Sequence, residues 1–135
     1  MKIWDANTGT LLHSLMGGIT GSADAVAFSP DGKTLAAAIN QNAGFVQLWN
    51  TDTWLTTRQL ASNNKVVNAL AFSADGTKLV TGAQDQTVRI WNIATGAALG
   101  SFTTMASVNS VAFAPDGAHV AFGDDLGTLA VLPAQ

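Results

Sequence analysis

The sequence predicts an all-β chain built from repeated four-stranded antiparallel sheets, and three observations carry that prediction. A first marker, Val26-Ala27-Phe28-Ser29-Pro30-Asp31-Gly32, returns as Leu70-Ala71-Phe72-Ser73-Ala74-Asp75-Gly76 and as Val111-Ala112-Phe113-Ala114-Pro115-Asp116-Gly117, at intervals of 44 and 41 residues. A second, Lys2-Ile3-Trp4-Asp5, returns as Gln47-Leu48-Trp49-Asn50, Arg89-Ile90-Trp91-Asn92 and a degenerate Ala130-Val131-Leu132-Pro133, at intervals of 45, 42 and 41. Turn residues punctuate each interval, and no segment reads as a convincing helix. Two markers sharing one period of about 20 to 50 residues mean a repeat architecture.

Within one period the strands follow in order. The first, 24–29, is closed by Pro30-Asp31-Gly32, where proline presets one turn dihedral and glycine accepts a positive one. The second is 34–39. After a loop at 40–44 comes a third, 45–49, whose residues suit a pleated surface. Asn50-Thr51-Asp52 then turns the chain into a fourth, 54–60. The next repeat reproduces this layout at 66–73, 78–82, 87–91 and 97–103. Val26 and Phe28 alternate with Ala25 and Ala27, a pattern that suits a first strand covered on both faces. Fourth strands mix Leu11, Leu12, Leu55, Leu60, Leu99 and Phe102 with His13, Ser14, Thr56, Thr57, Arg58, Gln59 and Ser101, as partly wetted outer edges do. Four strands graded from buried to exposed describe one blade of a radial array.

These residues resemble the WD-repeat β-propellers. The resemblance rests on Phe28-Ser29-Pro30-Asp31-Gly32, on Gln84-Asp85-Gln86-Thr87-Val88-Arg89-Ile90-Trp91-Asn92 and on Trp4-Asp5-Ala6-Asn7-Thr8-Gly9, and it covers essentially the whole chain. In that family a strand-three Trp, a strand-two Ser or Thr, a His of a Gly-His pair and an Asp between strands two and three form a buried hydrogen-bonded set. The resemblance places Trp91, Thr81 and Asp85 in three of those positions, and Trp4 and Trp49 at the strand-three position of other blades. The His is absent: Met16-Gly17-Gly18, Ser62-Asn63-Asn64 and Met105-Ala106-Ser107 stand where Gly-His would fall. Ala43 replaces the Asp of the first full blade. The blades are therefore expected to rely on apolar packing and on the turns at Asp31-Gly32, Asp75-Gly76 and Asp116-Gly117.

Blade arithmetic sets the next expectation. Residues 1–135 read as a single three-blade segment: 24–60 and 66–104 are whole blades, 107–132 gives three strands of a terminal blade, and 1–16 supplies strands to complete one. Propellers close with roughly four to eight blades, so three cannot complete the circle. An open arc would leave two apolar faces in water. At about 25 cal/mol per Å², hiding ~500 Å² per face is worth on the order of 12 kcal/mol before the entropy of association is subtracted. The chain is therefore expected to pair with itself, as a homodimer of six blades by preference and a homotrimer of nine blades second, through a heterologous contact that closes by rotation. The remaining alternatives are a truncated piece of a longer propeller or an assembly with another chain.

Composition excludes several functions. Charged residues are 11% against about 25% in typical globular chains, so much apparent surface reads as interface. With no cysteine, disulfides and thiolate chemistry are ruled out. Six scattered Lys and Arg against nine Asp and Glu do not make the basic patch that nucleic acid requires. No apolar run approaches the roughly 20 residues of a membrane span, and residues 1–15 lack the layout of a secretory signal, so a cytoplasmic setting is expected.

The remaining candidates are loops. Asp31, Asp75 and Asp116 are demanded by turn geometry, and the adjacent side chains of Asp124 and Asp125 diverge too much to chelate a cation. His13 and His119 belong to no nucleophile motif, so neither catalysis nor a cofactor or metal is expected. The resemblance puts the strand-four-to-one and strand-two-to-three loops on one face used for partner capture. Here that face carries Asn63, Asn64, Lys65, Gln84, Asp85, Gln86 and Met105, besides Gln41, Asn42, Thr104, Asp124 and Asp125. It lacks the aromatic or Arg anchors that usually dominate an interface. Trp54 stands where Gly9 and Gly96 stand in the other repeats, at the opposite face, either as a partner anchor or as a cover over its own blade. The reading is a non-catalytic interaction scaffold binding proteins or peptides, with a fragment or engineered propeller segment of purely structural, self-associating role and no ligand as the alternative.

Overall fold

Turn chemistry sets the strand limits. The structure, a computed structural model, describes residues 1–15, 21–41, 43–63 and 65–134. Its strands are β1 (Lys2–Trp4), β2 (Leu11–Ser14), β3 (Ser22–Phe28), β4 (Thr34–Asn40), β5 (Gly44–Asn50), β6 (Thr56–Asn63), β7 (Val67–Phe72), β8 (Lys78–Ala83), β9 (Thr87–Asn92), β10 (Ala98–Thr103), β11 (Val108–Phe113), β12 (His119–Asp124) and β13 (Leu129–Pro133). They pair antiparallel in chain order into four sheets: the hairpin β1–β2, blade one (β3–β6), blade two (β7–β10) and blade three (β11–β13).

One register repeats. Phe28 faces Leu35, Phe72 faces Leu79 and Phe113 faces Val120 across the first two strands of each blade. Leu35 faces Trp49, Leu79 faces Trp91 and Val120 faces Leu132 across the next two. The Asp-Gly turns hold this register. In blade one the Ser29 hydroxyl donates to Asp31 Oδ1 at 2.6 Å and accepts the Thr34 amide at 2.9 Å, while the Lys33 amide reaches the same carboxylate at 3.0 Å. Blade two repeats the set with Ser73, Asp75 and Thr77. Blade three has Ala114 in the serine's place and keeps the bond from the Ala118 amide to Asp116 at 2.8 Å.

The core lies between sheets. Because side chains alternate across a strand, Ala36 and Ala38 of β4 enter a layer shared with Val67, Leu79 and Trp91 of blade two. Leu35, Ala37 and Ile39 enter the opposite layer with Trp49, covered by Met1 and Ile3 of the hairpin segment. Val80, Val88 and Ile90 meet Val108, Val120 and Phe122 in a third layer, between blades two and three. Gly82 is required there, since a Cβ would stand 2.5 Å from Val108 Cγ1.

Two expectations need correction. β3 is covered on one side only: Val26 and Phe28 are 57% and 55% exposed. Their counterparts Leu70 and Phe72 pack against blade one, and Val111 and Phe113 against blade two. The hairpin brings only two strands to the outer side of blade one, too little sheet to cover its first strand. The fourth strand of blade one starts at Thr56, not 54, because Trp54 has a positive φ of 56° and turns the chain out of the extended region. Among the described residues β1–β2 and β11–β13 are separate sheets and the sheets are unclosed. The region 16–18, Asn42 and Asn64 lie outside the described residues.

Candidate functional site

Backbone bonds gather the loops of one face. The Gly44 amide donates to Lys65 O at 3.1 Å, the Gln84 amide to Val66 O at 2.9 Å, the Thr104 amide to Gln86 O at 2.7 Å and the Asp125 amide to Ser107 O at 3.0 Å. Each bond ties a strand-two-to-three turn to a blade-to-blade connection. Between blades one and two this leaves an open recess of about 170 Å³ lined by Asn40, Gln41, Ala43, Gly44, Lys65, Val66 and Gln84. Lys65, Gln84, Gln86 and Met105 are exposed on this face, Met105 at 87%. Asn63 contributes backbone opposite Gly44.

Asp85 is engaged in its own turn. Its Oδ1 accepts the Thr87 amide at 3.2 Å and the Thr87 hydroxyl at 2.5 Å, and its Oδ2 lies 3.7 Å from Arg89 Nη2. Trp91 Nε1 donates to Thr81 Oγ1 at 3.0 Å in a fully buried bond. Two of the three polar residues implied by the resemblance are thus joined to each other, and the third is held by a neighbouring threonine and arginine.

Trp54 sits at the opposite end, half-buried, with its ring 4.7 Å from that of His13 and its side chain against the Leu35–Trp49 layer. Its φ of 56° matches 69° at Gly9 and 75° at Gly96, so the three positions are one turn in three repeats. Asp31-Gly32 lies beside it, with the Thr51 hydroxyl donating to Gly32 O at 2.7 Å. The turn carboxylates are bound to donors: the Ser29 hydroxyl holds Asp31 below the usual carboxylate range, and the Ser73 hydroxyl with the Thr77 amide lowers Asp75 to about 2. Among the described residues no three His, Asp or Glu side chains gather to hold a metal.

Sequence reasoning missed the polar clamps between blades. Asn40 Nδ2 donates to Val67 O at 3.1 Å and to Asp24 Oδ2 at 2.8 Å, while its Oδ1 accepts the Val67 amide at 2.9 Å. Asn68 Nδ2 reaches Val108 O at 2.9 Å, and Arg58 donates to Ala94 O at 2.8 Å and Thr95 O at 3.0 Å. A polar residue ending the apolar run Leu35 to Ile39 is the signal that could have found Asn40. Buried polar groups are rarely left unpaired.

The two ends of the arc carry the other apolar surfaces. Outside blade one, Met1, Lys2, Ile3, Trp4, Val26, Phe28 and Leu35 line a cleft of about 330 Å³. Outside blade three, Ser110, Val111, Ala112, Ala121, Phe122 and Leu129 line a smaller one of about 170 Å³; Leu129 is 80% and Val131, in the same strand, 64% exposed.

The chain matches the family described as WD domain, G-beta repeat, over residues 9–50, 54–92 and 96–131. It belongs to the WD-repeat family. Its relatives include a WD repeat-containing protein 91 homolog from Dictyostelium discoideum, 30% identical over 86% of this chain and 16% of the relative. Autophagy-related protein 16 from Arabidopsis thaliana is 28% identical over 96% of this chain and 25% of the relative. A U3 small nucleolar RNA-associated protein 21 homolog from Schizosaccharomyces pombe is 31% identical over 90% and 13%. The chain thus spans a quarter or less of the length of these WD-repeat relatives. The β-propeller domain of Cps50 (Swd1) from Myceliophteria thermophila superimposes with a TM-score of 0.78 at 21% identity, over 87% of this chain and 37% of that one, and fixes the propeller fold. The WD-repeat propeller family is generally non-catalytic and its members bind protein partners. No helix among the described residues is long and apolar enough to cross a membrane.

Proposed function

We propose that the chain is a non-catalytic protein–protein interaction scaffold whose copies seal a propeller between them, two copies giving six blades and three giving nine. The observation that carries this reading is the complementarity of the two ends. Among the described residues blade three has three strands, the hairpin of another copy would add to it, and both ends expose an apolar sheet face. The internal interfaces are the template. Ala36 and Ala38 share a layer with Leu70, Phe72 and Leu79 of the following blade. Ala112 and Ala121 would meet Val26, Phe28 and Leu35 of the next copy in the same way. Such contacts bury faces that otherwise cost about 25 cal/mol per Å² in water.

A closed ring would also present the loop face whole, with Lys65, Gln84, Gln86 and Met105 exposed and Asp85 beside them, as a surface for a protein or peptide. Trp54 would mark the other face. Light scattering across a tenfold concentration range tests the assembly: the expected mass is a multiple of the 13.9 kDa chain, and a monodisperse single chain throughout rejects it. A peptide array probed with the chain and with Met105→Asp tests the loop face. Capture lost in the variant supports the scaffold. Assembly without any capture favours the purely structural reading, which the missing aromatic anchors of that face support.

A further inference from the structure

Closing a ring from copies sets two strands in competition for one place. β1 and β13 both carry the second sequence marker, so β11–β13 of one copy and β1–β2 of the next together hold two third strands for one four-stranded blade. Resting on the self-assembly proposed above, we infer that β1–β2 enters the shared blade as a unit and that β13 is the strand displaced, with β1 taking its place on β12.

Hairpin closure separates the two strands. The third-to-fourth-strand turn is sealed by one backbone bond in every blade that has it: Asp5 N to Thr10 O at 2.8 Å, Asn50 N to Leu55 O at 3.0 Å and Asn92 N to Ala97 O at 2.9 Å. The side chains reinforce it, since Asp5 Oδ1 accepts the Asn7 and Thr8 amides and Asn50 Oδ1 the Asp52 and Thr53 amides. The residue at that position in β13 is Pro133, which has no N–H to donate and no side-chain acceptor. β13 cannot close a ladder with a fourth strand as the other third strands do. β1 already has, pairing Lys2 with Ser14, Ile3 with His13 and Trp4 with Leu11.

Side chains favour the same exchange. Trp91 is 3% exposed because it faces blade one and Trp49 2% because the hairpin segment covers its layer, whereas Trp4 is 54% exposed. In β13 the same position is Leu132, a smaller group partly buried against the Val80–Ile90 layer. Ile3 already packs on blade one, and Trp4, which borders the cleft outside that blade with its ring mostly exposed, is the residue of β1 left to meet the partner's blade two. In the exchanged blade Trp4 fills the place of Leu132 and Ile3 that of Val131, which is 64% exposed in the single chain. The indole gains a pocket, and the hairpin keeps the contacts it has.

A cross-link tests this. His119 and Pro133 are register partners across β12 and β13, and the chain has no native cysteine, so His119→Cys with Pro133→Cys locks β13 in place on oxidation. The unmodified chain and the reduced double variant are expected to show a multiple-chain mass by light scattering, and the oxidised variant the single-chain mass with its β circular dichroism retained. Removing residues 128–135 should preserve assembly, and Trp4→Ala should weaken it at least tenfold. An oxidised variant that still assembles, or a shortened chain that stays folded but no longer assembles, overturns the exchange and leaves self-assembly standing. A single-chain mass for the unmodified protein overturns both. Should the cross-linked variant unfold, the shortened chain alone decides.

Discussion

Trp91 and Trp4 occupy the same place in the same marker and meet opposite surroundings. Trp91 is sealed between blades one and two with its indole N–H on Thr81, and Trp4 lies on the rim of an open cleft. In a stacked repeat each unit touches only its neighbours, so burial here belongs to the position in the array and not to the residue. The comparison can be broken most forcefully by truncating each. Trp91→Ala should cost roughly 3–5 kcal/mol, the range for emptying a buried indole site. Trp4→Ala in the dilute single chain should stay within about 1 kcal/mol, as for changes away from packed features. Urea unfolding of both reads the difference; equal costs would mean that the hairpin is packed as tightly as the middle of the arc.

The next contrast lies between two kinds of bond across one interface. Asn40 is buried and serves both the N–H and the carbonyl of Val67, so Asn40→Ala leaves two backbone groups unpaired and should cost about 1–3 kcal/mol. Arg58 reaches the same neighbouring blade from an exposed strand, and Arg58→Ala should cost less than about 1 kcal/mol, since water replaces it on Ala94 and Thr95. Hydrogen exchange at the Val67 amide sharpens the point: Asn40→Ala should speed it, and Arg58→Ala should leave it unchanged.

How much of this the sequence discloses divides along the same line. Period and turn chemistry are local, so the Asp-Gly turns, the shared register and the place of each strand are legible from Phe28, Phe72, Phe113 and the tryptophans. The missing turn glycine was legible only as a position: Trp54 stands where Gly9 and Gly96 stand, but a strand expected from 54 overlooked the positive φ found there. Contacts between blades are long-range and were not legible: Asn40, Asn68 and Arg58 look like strand or turn polar residues until the next blade is beside them. The covered first strand was misjudged for the same reason. Val26 and Phe28 have the pattern of Leu70 and Phe72 and lack only their neighbour. For the loop face, sequence placed Lys65, Gln84 and Met105 on exposed turns, while the engagement of Asp85 with Thr87 depended on side-chain reach.

Trp54 sets backbone against side chain at one residue. A non-glycine residue at φ 56° carries a conformational cost that Gly9 and Gly96 avoid, offset here by the stack on His13. Trp54→Gly and Trp54→Ala delete the same ring contact and differ only in backbone freedom. The glycine variant should be the more stable by roughly 1 kcal/mol in urea unfolding, because the native φ suits it. A more stable alanine variant would mean that the turn relaxes out of the left-handed region once the indole is gone.

The smallest effect compares blade two with blade three at their Asp-Gly turns. Ser73 donates to Asp75, and Ala114 leaves Asp116 without that donor. The hydroxyl and the Thr77 amide lower Asp75 from 3.8 to about 2 in the folded chain. A carboxylate more acidic when folded stabilises the fold at pH above its unfolded value, and that contribution fades as pH falls from about 4 through about 2. The wild-type urea midpoint should therefore drop more steeply over that window than the midpoint of Ser73→Ala, whose carboxylate has lost its main donor. Asp75→Asn, with no proton to bind, should flatten the slope further. Parallel acid limbs for all three proteins would show that this turn does not couple proton binding to folding.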